Sequence, residues 1–374
     1  RPEAHRCAHA TVRTTGPMRP PLRWWALAGV AALADGLRRR SARPACVATE
    51  TDLVSYALMT QRVCEFNYAL DPLTKFRHPD MTVRDVSWAS TANVAGCWHL
   101  QRFNSDRYMS SAVYQNGGRC VLAISGYHAI INGPEATAAA AIEPAGRLRM
   151  CQNEVHAPLV KQFRDHAASA NWSGIAEYLG GHGSTCRNIV VTGDSMGGSL
   201  AELLAGCASL GRLDELHKQH LPSFNVDALY TFGAYASSLK PSRNASSKDG
   251  CMKGKRIFHS SDMFAQWAKG LGLKHAYMDA MRLSESGNYA YELLPCTDPG
   301  TVSSDEDMFG APPNGPTELI RAFMGLKKNG AKLGALSSHT ITNYVRNIKG
   351  MTKLGAAPQL HAIDYAGLLK DMKL

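Results

Sequence analysis

The chain has 374 residues, 45% of them hydrophobic and 19% charged, with a formal net charge of +10. That length suits one large α/β domain or two ordinary ones, and the balance excludes global disorder while allowing a sizeable core. Five arginines and one glutamate lie in residues 1–34, so the remainder carries +6, and +4 once Asp35 and the arginines through Arg40 are set aside. Such a surface favours anionic lipid interfaces slightly and leaves no nucleic-acid footprint.

The chain begins at Arg1, and Met18 opens a secretory pattern. Arg19 and Arg23 precede "WWALAGVAALA" (24–34), which ends in the small-x-small form Ala32-Leu33-Ala34. These eleven residues are too short a run for a bilayer span, which takes about 20. Residues 1–17 are therefore read as lying upstream of the native start, 18–34 as a signal peptide, and 35–49 as a linker or short pro-segment. No second long apolar segment offers a stable membrane span.

From Thr49 to about Leu70 the apolar positions Leu53, Tyr56, Ala57, Val63 and Phe66 predict a helix. "MSSAVYQNGGRCVLAISG" (109–126) reads as a hairpin turning at Asn116-Gly117-Gly118, its second arm a short apolar run suited to a sheet interior. An Ala-rich stretch follows, and "EVHAPLVKQFRDHAASANWSGIAEYLGG" (154–181) predicts one helical stretch closed by glycines. "RNIVVTG" (187–193) is a buried strand, "SLAELLAGCASLG" (199–211) a helix, "VDALYTFGA" (226–234) a strand, and "KGKRIFHSS" (253–261) another. Residues 237–250 are polar and read as a surface loop. Strands alternating with helices predict an α/β fold with a mainly parallel central sheet in a single domain, 50–374.

"GDSMG" (193–197) fits G-x-S-x-G, and its context decides its meaning. An apolar strand leads in and a helix leads out, the order a nucleophile elbow requires, because the sharp turn lifts the Ser195 hydroxyl clear of the sheet. Gly193 and Gly197 remove side chains that would collide across that turn. The helix N-terminus directs N–H groups toward developing negative charge.

A serine nucleophile needs a base, and the base an orienting acid, in the chain order Ser, Asp/Glu, His. Asp262 comes just past a strand, where active groups gather in open α/β sheets. Asp279 ranks second, and Asp227 stands at the wrong end of its strand. Among the later histidines, His339 opens an amphipathic segment from a polar loop. His275 is the alternative, better suited to packing, and His361 has no supporting pattern.

"VVTGDSMGGSLAELLA", "YTFGAYA", "IFHSSDMF", "SHTITNY" and "YALMTQRVCEF" together resemble, over about 50–350, the elbow, following strand, acid loop, closing segment and N-terminal helix of the class 3 (fungal-type) triacylglycerol lipases. The resemblance implies an α/β-hydrolase fold and cleavage of lipid esters at an oil–water or membrane interface, with no cofactor. It makes Ser195 the nucleophile, Asp262 the acid and His339 the base. Met196 supplies one oxyanion N–H and the Gly126–Tyr127 segment the other. Two positions depart from the pattern. Asp194 replaces the usual histidine before the nucleophile, where a carboxylate either raises the base's pKa or faces solvent. The oxyanion strand ends Ser125-Gly126-Tyr127, keeping only the glycine. Residues 128–150 stand where the family carries a lid, and Ile130, Ile131 and Ile142 suit either a lid or an ordinary surface helix. A feruloyl-type carbohydrate esterase and an inactive lipid-binding relative are the rival readings.

Other features are weaker. Ten cysteines show no metal-site pairing. Cys207, in an apolar helix, is expected to be buried and free; with Cys7 also set aside, Cys46, Cys64, Cys97, Cys120, Cys151, Cys186, Cys251 and Cys296 remain for disulfides whose connectivity stays open. Sequons at Asn171 and Asn244 fit secretion and glycosylation. His217 and His220 form H-x-x-H without a third ligand and read as a solvated helix face, so no metal is expected. "LIRAFMGLKKNGAKLG" (319–334) reads as a packed basic helix.

Overall fold

The computed structural model describes residues 52–70, 98–105, 109–126, 147–217, 220–259, 262, 265, 273–284, 291–296, 339 and 341–353. All of them belong to one compact unit, Val47–Leu374. The upstream segment, signal peptide and linker expected over 1–49 lie outside the described residues, as do Tyr127, most of the lid-like stretch, the 319–334 helix and His361.

Eight strands form one sheet in the order β1 (His99–Ser105), β2 (Ser110–Asn116), β3 (Arg119–Ile124), β6 (Asn188–Asp194), β7 (Ala228–Phe232), β8 (Met252–His259), β9 (Met278–Leu283) and β10 (Tyr291–Leu294). The strands from β3 to β9 run parallel, while β1, β2 and β10 join antiparallel at the margins. The predicted 109–126 hairpin is present, and Gly117 turns it at φ +59°.

Burial on both sides explains the apolar central strands. In β3, Cys120, Leu122 and Ile124 enter one core layer while Val121 and Ala123 enter the other; in β6, Ile189 and Val191 oppose Val190. The first layer is covered by α2 (Ala157–Ala167), α3 (Ala170–Gly180), α4 (Ser195–Ser209) and α5 (Leu213–His217). The second is covered by α1 (Asp52–Leu70) and α6 (Ile341–Lys353), which pack on each other.

Three local differences from the sequence expectation have physical causes. The single helical stretch expected over 154–181 is a strand, β5 (Asn153–His156), followed by two helices. Residues 153–156 pair with β4 (Arg147–Met150), Pro158 starts α2, and the Ser169 side chain caps α3 by accepting the Trp172 N–H. The lid-like stretch therefore ends in a strand at 147–150. Helix α4 begins at Ser195 rather than Ser199, because Gly197 and Gly198, weak helix formers alone, are held in the first turn by the elbow.

The cysteine expectation is corrected. Cys207 is buried but bonded to Cys151, and Cys120–Cys186 and Cys251–Cys296 form two more disulfides. Cys64 instead keeps a reduced, buried thiol. A buried helical cysteine looks the same in sequence whether its partner on another element is a cysteine or a carboxylate.

Candidate active site

Strand β6 delivers Ser195 at its carboxyl end, and the serine adopts φ +51°, a left-handed value uncommon outside glycine. The turn is possible because its neighbours lack side chains. A Cβ on Gly193 would overlap the Gly197 carbonyl, and one on Gly197 would overlap the backbone of Ile124, the last residue of β3, and of Ser125 after it. The helix is thereby drawn tightly against the sheet, with its first N–H groups beside the serine.

The sequence-predicted triad residues are brought together. His339 Nε2 lies 2.8 Å from Ser195 Oγ, and its Nδ1 lies 2.9 Å from both oxygens of Asp262. Asp262 is fully buried just beyond β8, accepting a bond from the Ala265 N–H at 3.3 Å. The Tyr344 hydroxyl donates to Asp262 Oδ2 at 2.6 Å and accepts the His259 N–H at 3.1 Å. Gly233, at φ +59° after β7, leaves room for this cluster, since a Cβ there would stand 2.7 Å from Asp262 Oδ2.

Electrostatics favour the same arrangement. Burial alone would lower the His339 pKa, but the charge and hydrogen bond of Asp262, with a further push from Asp194, raise it above the ordinary 6.5. Burial, reinforced by Asp262, drives the Tyr344 pKa far up, so the phenol stays a donor. This is a serine–histidine–aspartate line set at the carboxyl ends of a mainly parallel sheet.

Among solved structures, the chain is similar to several fungal lipases. The Rhizomucor miehei triacylglyceride lipase is 13% identical with a TM-score of 0.44, covering 69% of this chain and 89% of its own. The Lip2 lipase of Yarrowia lipolytica is 17% identical at 0.38, covering 62% and 77%. The mono- and diacylglycerol lipase of Aspergillus oryzae is 15% identical at 0.36, covering 66% and 87%. No family model and no curated protein sequence matches the chain. Likeness at this level speaks to neither substrate nor reaction.

The alternative acid and bases sit elsewhere. Asp279 lies near the start of β9, where its carboxylate accepts the Cys296 N–H at 2.7 Å. His275 pairs through Nδ1 with Glu202 at 2.9 Å, and burial, with nearby Arg256, lowers its pKa despite that carboxylate. His217 is not on a solvated face; it is buried, stacked on Phe163 and edge-on to Trp172, while His220 is exposed. No group of side chains able to hold a metal occurs among the described residues.

Near the oxyanion position, Met196 is the second residue of α4. Gly126 sits beside Ser195, but its own N–H is donated to Asp194 Oδ1 at 2.9 Å. Asp194 does not face solvent: it is buried, and Cys64 Sγ lies 3.1 Å from the same Oδ1. Sequence reasoning gave Tyr344 no role and set Cys64 among the disulfide cysteines, since only their places beside Asp262 and Asp194 define what they do.

Proposed function

We propose that the protein is a secreted serine ester hydrolase that cleaves acylglycerol or related lipid esters through an acyl-enzyme on Ser195. The observation that carries the reading is the hydrogen-bonded line from Ser195 Oγ through His339 to buried Asp262. His339 takes the hydroxyl proton as Oγ attacks the ester carbonyl, and Asp262 holds the ring's tautomer and stabilises the imidazolium. The Met196 N–H and, by the resemblance, the Tyr127 N–H receive the oxyanion. Collapse expels the alcohol, protonated by His339, and water activated by the same base releases the acid. The chemistry is complete in side chains and backbone, without a cofactor.

The lipid class of the substrate rests on the motif resemblance. Three disulfides fit a secretory protein, and no described helix is long and apolar enough to cross a membrane. A fluorophosphonate probe tests the nucleophile: labelling is expected in the wild type and absent in Ser195→Ala. Folded wild-type protein that stays unlabelled would sink the reading and leave an inert lipid-binding fold. Turnover of feruloyl esters with none on long-chain emulsions would move the substrate to carbohydrate-bound aromatic acids.

A further inference from the structure

Aspartate is among the best helix N-caps, where its carboxylate ordinarily accepts an N–H of the second or third helical residue. Asp194 is the N-cap of α4, with an extended backbone, and makes no such bond. Had it done so, it would have taken the N–H of Met196 or Gly197, and the first of these is the oxyanion donor. Its side chain turns the other way, toward α1 and the end of β3.

The reason lies in how α1 meets β6. Thr60 and Cys64 stand one helical turn apart on α1, and they meet Thr192 and Asp194, two apart on β6 and so on one face of the strand. The Thr60 and Thr192 hydroxyls are 3.1 Å apart and Cys64 Sγ lies 3.1 Å from Asp194 Oδ1. The same oxygen accepts the Gly126 N–H at 2.9 Å. Sheet pairing between β3 and β6 ends at Ile124 opposite Gly193, so Gly126 is past the ladder and its N–H has Asp194 in place of a strand partner. Contact there is close: a Cβ on Gly126 would come within 2.9 Å of Ser195 Cβ and 3.0 Å of Asp194 Oδ2.

We propose that Asp194 is a positioning residue for the oxyanion site: its carboxyl, braced by Cys64, anchors the Gly126 N–H and so holds the backbone past the end of β3 against Ser195, while leaving the Met196 N–H open. Burial raises the Asp194 pKa above the usual carboxylate value in spite of these donors. Asparagine keeps the Oδ1 acceptor and the shape of the side chain; leucine keeps the shape and loses the acceptor.

This rests on Ser195 being the nucleophile, and the test separates the two. Steady-state kinetics on a soluble short-chain ester, inhibition by a boronic acid, and hydrogen exchange of the 119–126 peptide are compared in wild type, Asp194→Asn and Asp194→Leu. The leucine variant is expected to lose about 30–100-fold in kcat with KM unchanged, because an oxyanion contact acts in the transition state. Boronic acid affinity falls with kcat, and the Gly126 amide exchanges at least about tenfold faster as its acceptor is removed. The asparagine variant stays within about 3-fold of wild type on every readout, since the acceptor remains. A leucine variant with unchanged kcat, or with a KM rise that accounts for its loss, overturns the proposal. An asparagine variant that loses about 30-fold or more in kcat, the loss expected of leucine, also overturns it, and that outcome is read against wild type even if leucine prevents folding. If the wild type neither turns over ester nor takes the fluorophosphonate, the nucleophile reading fails, while amide exchange, measured without substrate, still decides whether Asp194 anchors Gly126.

Discussion

Tyr344 shows how one hydroxyl sets the strength of the base. It donates to the Asp262 oxygen that also faces His339, drawing charge from that carboxylate. Tyr344→Phe leaves the carboxylate charge of Asp262 more fully on His339, which becomes harder to deprotonate. Protonated His339 accepts no proton from Ser195, so kcat/KM falls as pH drops through the histidine's pKa. In the wild type that acid limb lies above the ordinary imidazole value of 6.5, and in the variant it moves further up. We expect kcat at neutral pH to fall about tenfold, the scale of one hydrogen bond to a charged group. A variant whose kcat/KM profile overlays the wild type would show that the phenol serves packing alone. Residues of this kind were only partly legible in the sequence. Ser195 was readable because its glycines and flanking pattern are local, and Asp262 and His339 because their chain order is constrained. The place of Asp194 was not, since its partner Gly126 is 68 residues away and is met only through the β3–β6 register.

At the scale of elements, helix–sheet approach separates glycines that look alike in sequence. Gly193 is squeezed between β6 and α4, and an added Cβ would strike the Gly197 carbonyl and the Gly198 nitrogen, backbone atoms with nowhere to go. Gly174 lies inside α3 with nothing within 4 Å of its would-be Cβ. Gly193→Ala is therefore expected to destabilise by about 1–3 kcal/mol through overpacking and to abolish fluorophosphonate labelling by shifting the elbow. Gly174→Ala should stabilise by about 0.5–1 kcal/mol, as alanine replaces glycine in a helix interior. Urea titrations of the two variants read both signs, and a Gly193→Ala protein as stable as wild type would contradict the close approach. The same contrast explains which elements the sequence revealed. β3 and β6 carry continuous apolar runs because both faces are covered. β1 reads "HLQRFNS" and β10 exposes Tyr291 and Leu293, so these marginal strands lack the run or alternation that marks a strand. The two-stranded β4–β5 unit is too short to show a period at all.

Across the molecule, stability against acid turns on the layer of helices that backs α4. Phe163 of α2, Trp172 of α3 and His217 of α5 meet there, and burial brings the His217 pKa down to about 4 against a small opposing push from Asp214. Its Nε2 has no hydrogen-bond partner among the described residues. An unfolded His217 takes up a proton near 6.5, whereas the folded one resists until about 4. Between those values the unfolded state binds more protons, so the stability present above 6.5 is progressively lost as pH falls toward 4, on the order of 3 kcal/mol in total. Asp194 acts in the opposite sense. Its folded pKa is raised above 3.8, so it costs stability as pH rises from 3.8 through the folded pKa and returns it on acidification. The measured acid slope is thus a difference between opposing groups, and a variant is needed to isolate one share. His217→Leu keeps the site apolar and similar in volume while every other titrating group is common to both proteins. Denaturant midpoints taken between pH 7 and pH 4 should fall less steeply for the variant, the gap widening by about 2–3 kcal/mol at the acid end. Parallel curves would mean that His217 protonates in the folded protein without resistance, and the aromatic layer would then hold a charge its burial forbids.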